Sequence, residues 1–164
     1  MALYVGPIEC AFCDEEIIDQ SITTHLPQFV WNQMDPLFRF GDALVHDECL
    51  RSHPLAAQVQ QRLEEFRART GEANCRCLIC GKLITDPEDY LDYLDYLGLG
   101  HLTLDASDPL FQFNYAYFHR SCLAGWSEQL FLIRELDRLD RSGRWKGGGL
   151  KQLIKELNKA NSSP

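Results

Sequence analysis

The chain has 164 residues, of which 45% are hydrophobic and 11% aromatic, the composition of one folded domain or two small ones rather than of a disordered chain. No apolar run approaches the roughly 18 residues that a membrane span needs. The formal net charge of −8 is unevenly spread: residues 1–71 and 72–142 each carry −6, and residues 143–164 carry +4. A body this acidic repels phosphates, which disfavours nucleic acid as the main partner.

The opening residues, Met1 to Pro7, have neither a basic start nor a long apolar stretch, so no secretion signal is visible and the expected location is the cytoplasm. Seven cysteines, an odd number in a reducing compartment, then point to metal rather than disulfides. The first pair is Cys10-x-x-Cys13. Next come two apolar-rich runs, Leu37–Phe40 and Ala43–His46, flanking Gly41-Asp42; they predict a β-hairpin over those residues. His46-x-x-Cys49 follows, and Leu55, Val59, Leu63 and Phe66 fall at helical spacing after it. Pro54 suits the first turn of that helix, with Ser52 or His53 near its cap.

The same order then recurs. Cys77-x-x-Cys80 is followed by a predicted hairpin of Leu110–Phe113 and Ala116–His119 around Asn114-Tyr115. His119-x-x-Cys122 comes next, then a helical face of Leu123, Trp126, Leu130 and Ile133 that Ser142-Gly143 ends. Asp35-Pro36-Leu37-Phe38 and Asp108-Pro109-Leu110-Phe111 each begin 11 positions before their histidine. The second copy is longer by six residues between its second cysteine and its histidine, an insertion before Asp108. Coincidences at so many fixed offsets predict a duplication. The expected organisation is therefore a first zinc-finger repeat over 1–71, a second over 72–142, and a basic linker and helix over 143–164. In that last segment Leu150, Leu153, Ile154 and Leu157 share one face of a helix over Leu150–Lys159, set off by Gly147-Gly148-Gly149.

Two C-x-x-C and two H-x-x-C pairs supply two complete tetrahedral sets: Cys10, Cys13, His46 and Cys49, and Cys77, Cys80, His119 and Cys122. Each set would hold one structural Zn2+, two per chain, with no coordination position left for water or substrate. Three thiolates per ion leave each site at −1, so the metal-bound chain carries about −10. The order of elements resembles the treble-clef group of zinc fingers, which takes two ligands from a knuckle and two from the start of a helix after a hairpin. In tandem it is similar to LIM-type double fingers, with longer loops and larger helices. The resemblance implies an α+β fold of two treble-clef-like fingers plus a C-terminal amphipathic helix, and a structural, partner-binding role. The first knuckle departs from the pattern in having Asp14 where the second has Gly81. Crossed pairing of the kind found in RING-like folds is disfavoured, because a whole helix separates Cys49 from Cys77.

A competing pattern is His46-Asp47-Glu48 followed by Cys77-x-x-Cys80, which is similar to a zinc deaminase with Glu48 as proton shuttle. It lacks the proline before the C-x-x-C pair and leaves four ligand residues without a role. No other catalytic signature is present, so the chain reads as non-enzymatic, with no small-molecule substrate. His25, His53 and His101 read as surface or loop residues, and Cys75 as a spare thiol.

The insertion repeats Asp-Tyr-Leu three times. Asp89, Tyr90, Asp92, Tyr93, Asp95 and Tyr96 form either a solvated acidic face or a docking surface for a basic protein, with tyrosines as anchors. The tail, with Arg144, Lys146, Lys151, Lys155 and Lys159, is expected to dock on the acidic body; the alternatives are a partner helix or a weak nucleic-acid contact. The resulting expectation is a zinc-stabilised protein-binding module, such as an inhibitor or immunity-type antidote to a basic enzyme, or an adaptor. Nucleic-acid regulation through the tail is the alternative.

Overall fold

A computed structural model of the chain describes residues 8–19, 22–70, 74–84 and 96–161. Each half opens on a C-x-x-C turn. Cys10 N–H donates to Glu15 O and Cys77 N–H to Lys82 O, both at 2.9 Å. Asp14 N–H returns to Cys10 O at 2.9 Å, and Gly81 N–H to Cys77 O at 2.8 Å. The residue that closes each turn is left-handed, with φ of 60° at Asp14 and 71° at Gly81. Glycine takes this conformation freely; aspartate is among the few side-chain-bearing residues that tolerate it, and here Asp14 is also paired with Arg39.

The hairpins expected around Gly41-Asp42 and Asn114-Tyr115 do not form; only the second strand of each is found, and it pairs elsewhere. Strand β2 (Ala43–His46) pairs antiparallel not with 37–40 but with β1 (Thr23–Leu26), Thr23 opposite His46. Strand β4 (Tyr117–His119) likewise pairs with β3 (Tyr96–Gly98), Tyr96 opposite His119. The runs Phe38–Phe40 and Phe111–Phe113 are single 3₁₀ turns. The Asp-Pro pairs explain the difference. Asp35 Oδ1 accepts from Leu37 N–H at 2.8 Å and Asp108 Oδ1 from Leu110 N–H at 3.0 Å. The carbonyls of the same two aspartates accept from Phe38 and Phe111, both at 2.9 Å. Amides that a ladder would need are thus used locally. The buried residues recur every third position, Leu37 and Phe40, then Leu110 and Phe113, which is the period of a 3₁₀ turn and not of a strand.

After β2 and after β4 comes a short helix, α1 (Asp47–Ser52) or α3 (Arg120–Leu123), and then a long one, α2 (Ala56–Thr70) or α4 (Gln129–Arg141). His53 starts α2: its Nδ1 accepts from Leu55 N–H at 3.1 Å while its ring lies 4.8 Å from that of Phe12. In the second half the expected continuous face is broken. Gly125, at φ 81°, ends the short helix, and the phase restarts. Leu132, Leu136 and Leu139 are buried, whereas Leu130, expected on the core face, is 64% exposed. Helix α5 (Gly149–Asn161) covers the predicted tail helix and packs on α3 and α4.

Two apolar clusters result. The first gathers Phe12, Leu26, Phe29, Phe40, Val45, Val59 and Leu63. The second gathers Leu110, Phe113, Phe118, Leu123, Leu132 and Leu136, with Leu150 and Leu157 of α5 inside it. The tail therefore shares the core of the second half, and Gln129 Nε2 donates to Leu157 O at 2.7 Å.

The halves meet at a polar junction. Arg62 of α2 pairs with Asp35 at 3.3 Å, both side chains at least nine-tenths buried. Tyr115 packs edge-on against Phe66 at 5.6 Å, and Asn32 joins the halves through Arg144 O and Lys146 N, at 2.8 and 3.0 Å. His101, expected at the surface or in a loop, lies in a loop and is buried here beside Tyr115. Its pKa falls to about 4, through burial first and then the Arg62 charge, with Asp35 opposing.

The folded state therefore holds a neutral ring, and the unfolded chain takes up a proton first as pH falls. The stability this maintains is complete above about pH 6.5 and disappears toward pH 4, up to about 3 kcal/mol. Urea unfolding at saturating zinc from pH 7 to 5 should lose close to one proton of pH dependence in His101→Gln.

Candidate metal centres

Strand β2 delivers His46 to the start of α1, and β4 delivers His119 to the start of α3, so the H-x-x-C pair sits where strand becomes helix in each half. The knuckle is tied to the same strand. Ala11 N–H donates to Leu44 O at 3.1 Å and Leu78 N–H to Tyr117 O at 2.8 Å. These bonds fix the two cysteines against the histidine.

The donor atoms of Cys10, Cys13, His46 and Cys49 all lie within 4.8 Å of one another, and so do those of Cys77, Cys80, His119 and Cys122. His46 Nδ1 lies 3.5 Å from Cys13 Sγ and 3.9 Å from Cys49 Sγ. His119 Nδ1 lies 3.4 Å from Cys80 Sγ and 3.9 Å from Cys122 Sγ. A tetrahedral zinc with bonds of about 2.3 Å to sulfur and 2.0 Å to nitrogen has N···S edges of about 3.5 Å. The donors are therefore placed to close on one ion per set. The pairing is sequential: neither set mixes knuckle and helix ligands from different halves.

The thiols within each set are unequal. Burial opposes ionisation of Cys10, but the backbone N–H groups of His46, Cys13 and Phe12 outweigh it and bring the pKa to about 7. At Cys77 burial is likewise outweighed, by the N–H groups of Cys80, His119 and Ile79, and the pKa falls to about 6. Cys49 is pushed up to about 12 and Cys122 to about 11, by burial and then by the neighbouring cysteines. Three thiolates crowd one another unless a dication sits between them, and a bound metal would remove that repulsion. Each set can thus hold a metal ion, and the soft Cys3His donor set suits zinc.

The deaminase pattern is overturned. His46 lies in one cluster, Cys77 and Cys80 in the other. Glu48 is exposed and pairs with Arg51 at 3.0 Å. Glu48→Gln should leave the metal content of the purified protein unchanged; a drop of one ion per chain would make Glu48 part of a site.

Of the other candidates, Cys75 falls outside both sets, with its carbonyl accepting from Ile84 N–H at 2.7 Å. His25 is exposed and 3.2 Å from Asp42. Asp89, Tyr90, Asp92, Tyr93 and Asp95 lie outside the described residues. Tyr96 opens β3, half-buried, with its ring 6.0 Å from Tyr117.

What sequence reasoning missed is the buried ion pairing of two aspartates. Asp35 and Asp108 stood out only as repeat markers, yet each carboxylate receives a guanidinium: Asp35 from Arg62, and Asp108 from Arg138 and Arg144 at 3.4 and 3.3 Å. The usable signal was an aspartate ahead of proline in an apolar run, a carboxylate that must find a partner if buried.

Among the described residues, no helix is long and apolar enough to cross a membrane. No protein-family model matches the chain, and comparison with curated proteins and solved structures found no significant match.

Proposed function

We propose that the chain is a non-catalytic, zinc-stabilised protein-binding module built from two duplicated treble-clef-like fingers, with a basic protein as its target. The observation that carries this reading is the pair of four-donor sets, each close enough to hold one ion with protein atoms alone. Four protein ligands leave a zinc ion no place for substrate or activated water, so the metal's contribution is to folding. Duplication is supported by the recurrence of the same hydrogen bonds at the same places in both halves, down to His46 N–H on Cys10 Sγ and His119 N–H on Cys77 Sγ, at 3.4 and 3.3 Å.

The basic target follows from charge: −8 overall, with Asp89, Asp92 and Asp95 beside tyrosines in the insertion. An inhibitor of a basic enzyme such as a nuclease, or an adaptor, fits this character. The competing reading, nucleic-acid binding through residues 143–164, is weakened because Arg144 is engaged by Asp108 and the apolar face of α5 lies in the core.

Pull-down with the wild type and with an Asp89/Asp92/Asp95→Asn triple variant tests the surface, and the captured protein is then identified and rebound in pure form. Loss of a basic partner in the variant is the expected result. A partner held equally by both would remove the insertion from the interface, and salt-sensitive nucleic-acid binding lost on deleting residues 143–164 would favour the competing reading.

A further inference from the structure

Beside each metal cluster, the knuckle and the turn before the second strand enclose an open groove. In the first half its walls include Glu9, Ala11, Arg39, Asp42, Ala43 and Leu44. In the second half Arg76, Leu78, Gln112, Tyr115, Ala116 and Tyr117 hold the same places in the same knuckle-to-strand register.

What stands opposite differs. In the second half Ala68 and Arg69, at the end of α2, complete the wall. Arg69 Nη1 donates to Asn114 O at 3.4 Å, and Phe66 meets Tyr115. About 350 Å³ of space remains there. In the first half no described helix end takes that position, and the groove holds about 710 Å³.

The chain thus contains its own example of what such a groove accepts: the last turn of a helix whose arginine reaches a carbonyl of the turn before the second strand. In the first half the walls favour a cation more strongly. Glu9 stands in place of Arg76 and Asp42 in place of Tyr115. The first-half groove is also lined by Asp14, Arg39 and His25; Arg39 pairs with Asp14 and His25 with Asp42, so three carboxylates and one guanidinium leave the wall net negative, with Glu9 outside both of those pairs. A second copy of this chain is a poor occupant. The helix of its second half that corresponds to α2 is α4, whose Leu139 is buried in the core it shares with α5 and whose register puts Ser142 where α2 has Arg69.

We propose that the first-half groove is a docking site for the arginine- or lysine-bearing C-terminal turn of a helix from a basic partner protein. This rests on the binding-module reading but not on the Asp-Tyr-Leu insertion. The pairing would combine apolar contact on Ala11, Ala43 and Leu44 with charge-assisted bonds to Glu9 and Asp42.

The test is an NMR titration of the full-length, zinc-loaded protein with two peptides: residues 56–70 of this chain, and the same peptide with Glu64→Lys and Glu65→Lys. Shifts should centre on Glu9, Ala11, Ala43 and Leu44, and the lysine peptide should bind at least fivefold tighter. Glu9→Arg, which installs the residue the second half carries, should weaken that binding at least fivefold with both zinc ions retained. Binding indifferent to Glu9→Arg would overturn the proposal. Shifts centred on Tyr96–Gly98 instead would overturn the groove and leave the module reading standing, whereas no saturable binding of either peptide would count against both. A tenfold gain in affinity on deleting residues 1–7 would make the chain's own N-terminus the occupant and also overturn the proposal.

Discussion

Purified protein is expected to contain two zinc ions per chain, and a strong chelator should unfold it. Each half has an apolar cluster of modest size, and a structural zinc contributes on the order of 10–16 kcal/mol of apparent binding free energy at neutral pH. That is comparable to the whole stability of an ordinary domain, about 5–15 kcal/mol. His46→Ala or His119→Ala should therefore leave one zinc per chain and melt the half concerned, and circular dichroism with metal analysis would record both. Because the halves share the Asp35–Arg62–His101–Tyr115 junction, loss of either ion should also lower the melting temperature of the other half. A fully folded, metal-free protein would defeat the reading of these eight residues as ligands.

The second large effect is expected at Arg62. Its guanidinium lies 3.3 Å from Asp35, with the two side chains only 6% and 10% exposed. Arg62→Met removes the cation and leaves a buried carboxylate whose remaining bond is from Leu37 N–H. Removing one partner of a buried pair costs about 3–5 kcal/mol. Asp35→Asn in the same chain keeps an acceptor for Leu37 N–H and discards the charge, so the double variant should recover most of the loss. Urea unfolding of the single and double variants at saturating zinc measures both; equal loss in the two would mean that the charge is not what matters. Arg62→Met should also raise the pKa of His101, because the Arg62 charge lowers it and the Asp35 charge raises it.

How much of this was legible beforehand varied with the range of the interaction. The C-x-x-C turns, the H-x-x-C pairs and the strand before each histidine are set by neighbours within a few residues, and each was found where its spacing placed it. The first strands were not. Thr23–Leu26 and Tyr96–Gly98 are short and carry little alternation, while the apolar runs that looked like strands are drawn into 3₁₀ turns by Asp35 and Asp108. The second-half helix was read in one phase because nothing in the pattern Leu123, Trp126, Leu130, Ile133 reveals that Gly125 resets it.

The amino-acid order alone determined that eight residues gather into two Cys3His sets able to hold a metal ion, since each donor pair is a local turn or a single helical step and the chemistry of sulfur and imidazole does the selecting. Only the tertiary structure decided that α5 completes the second core, that Arg62 and His101 are buried, and that the groove beside the first site differs from its twin in what stands opposite. Those outcomes depend on which surfaces of distant segments come to exclude water from one another, a cooperative property of the whole chain that no short window of sequence contains.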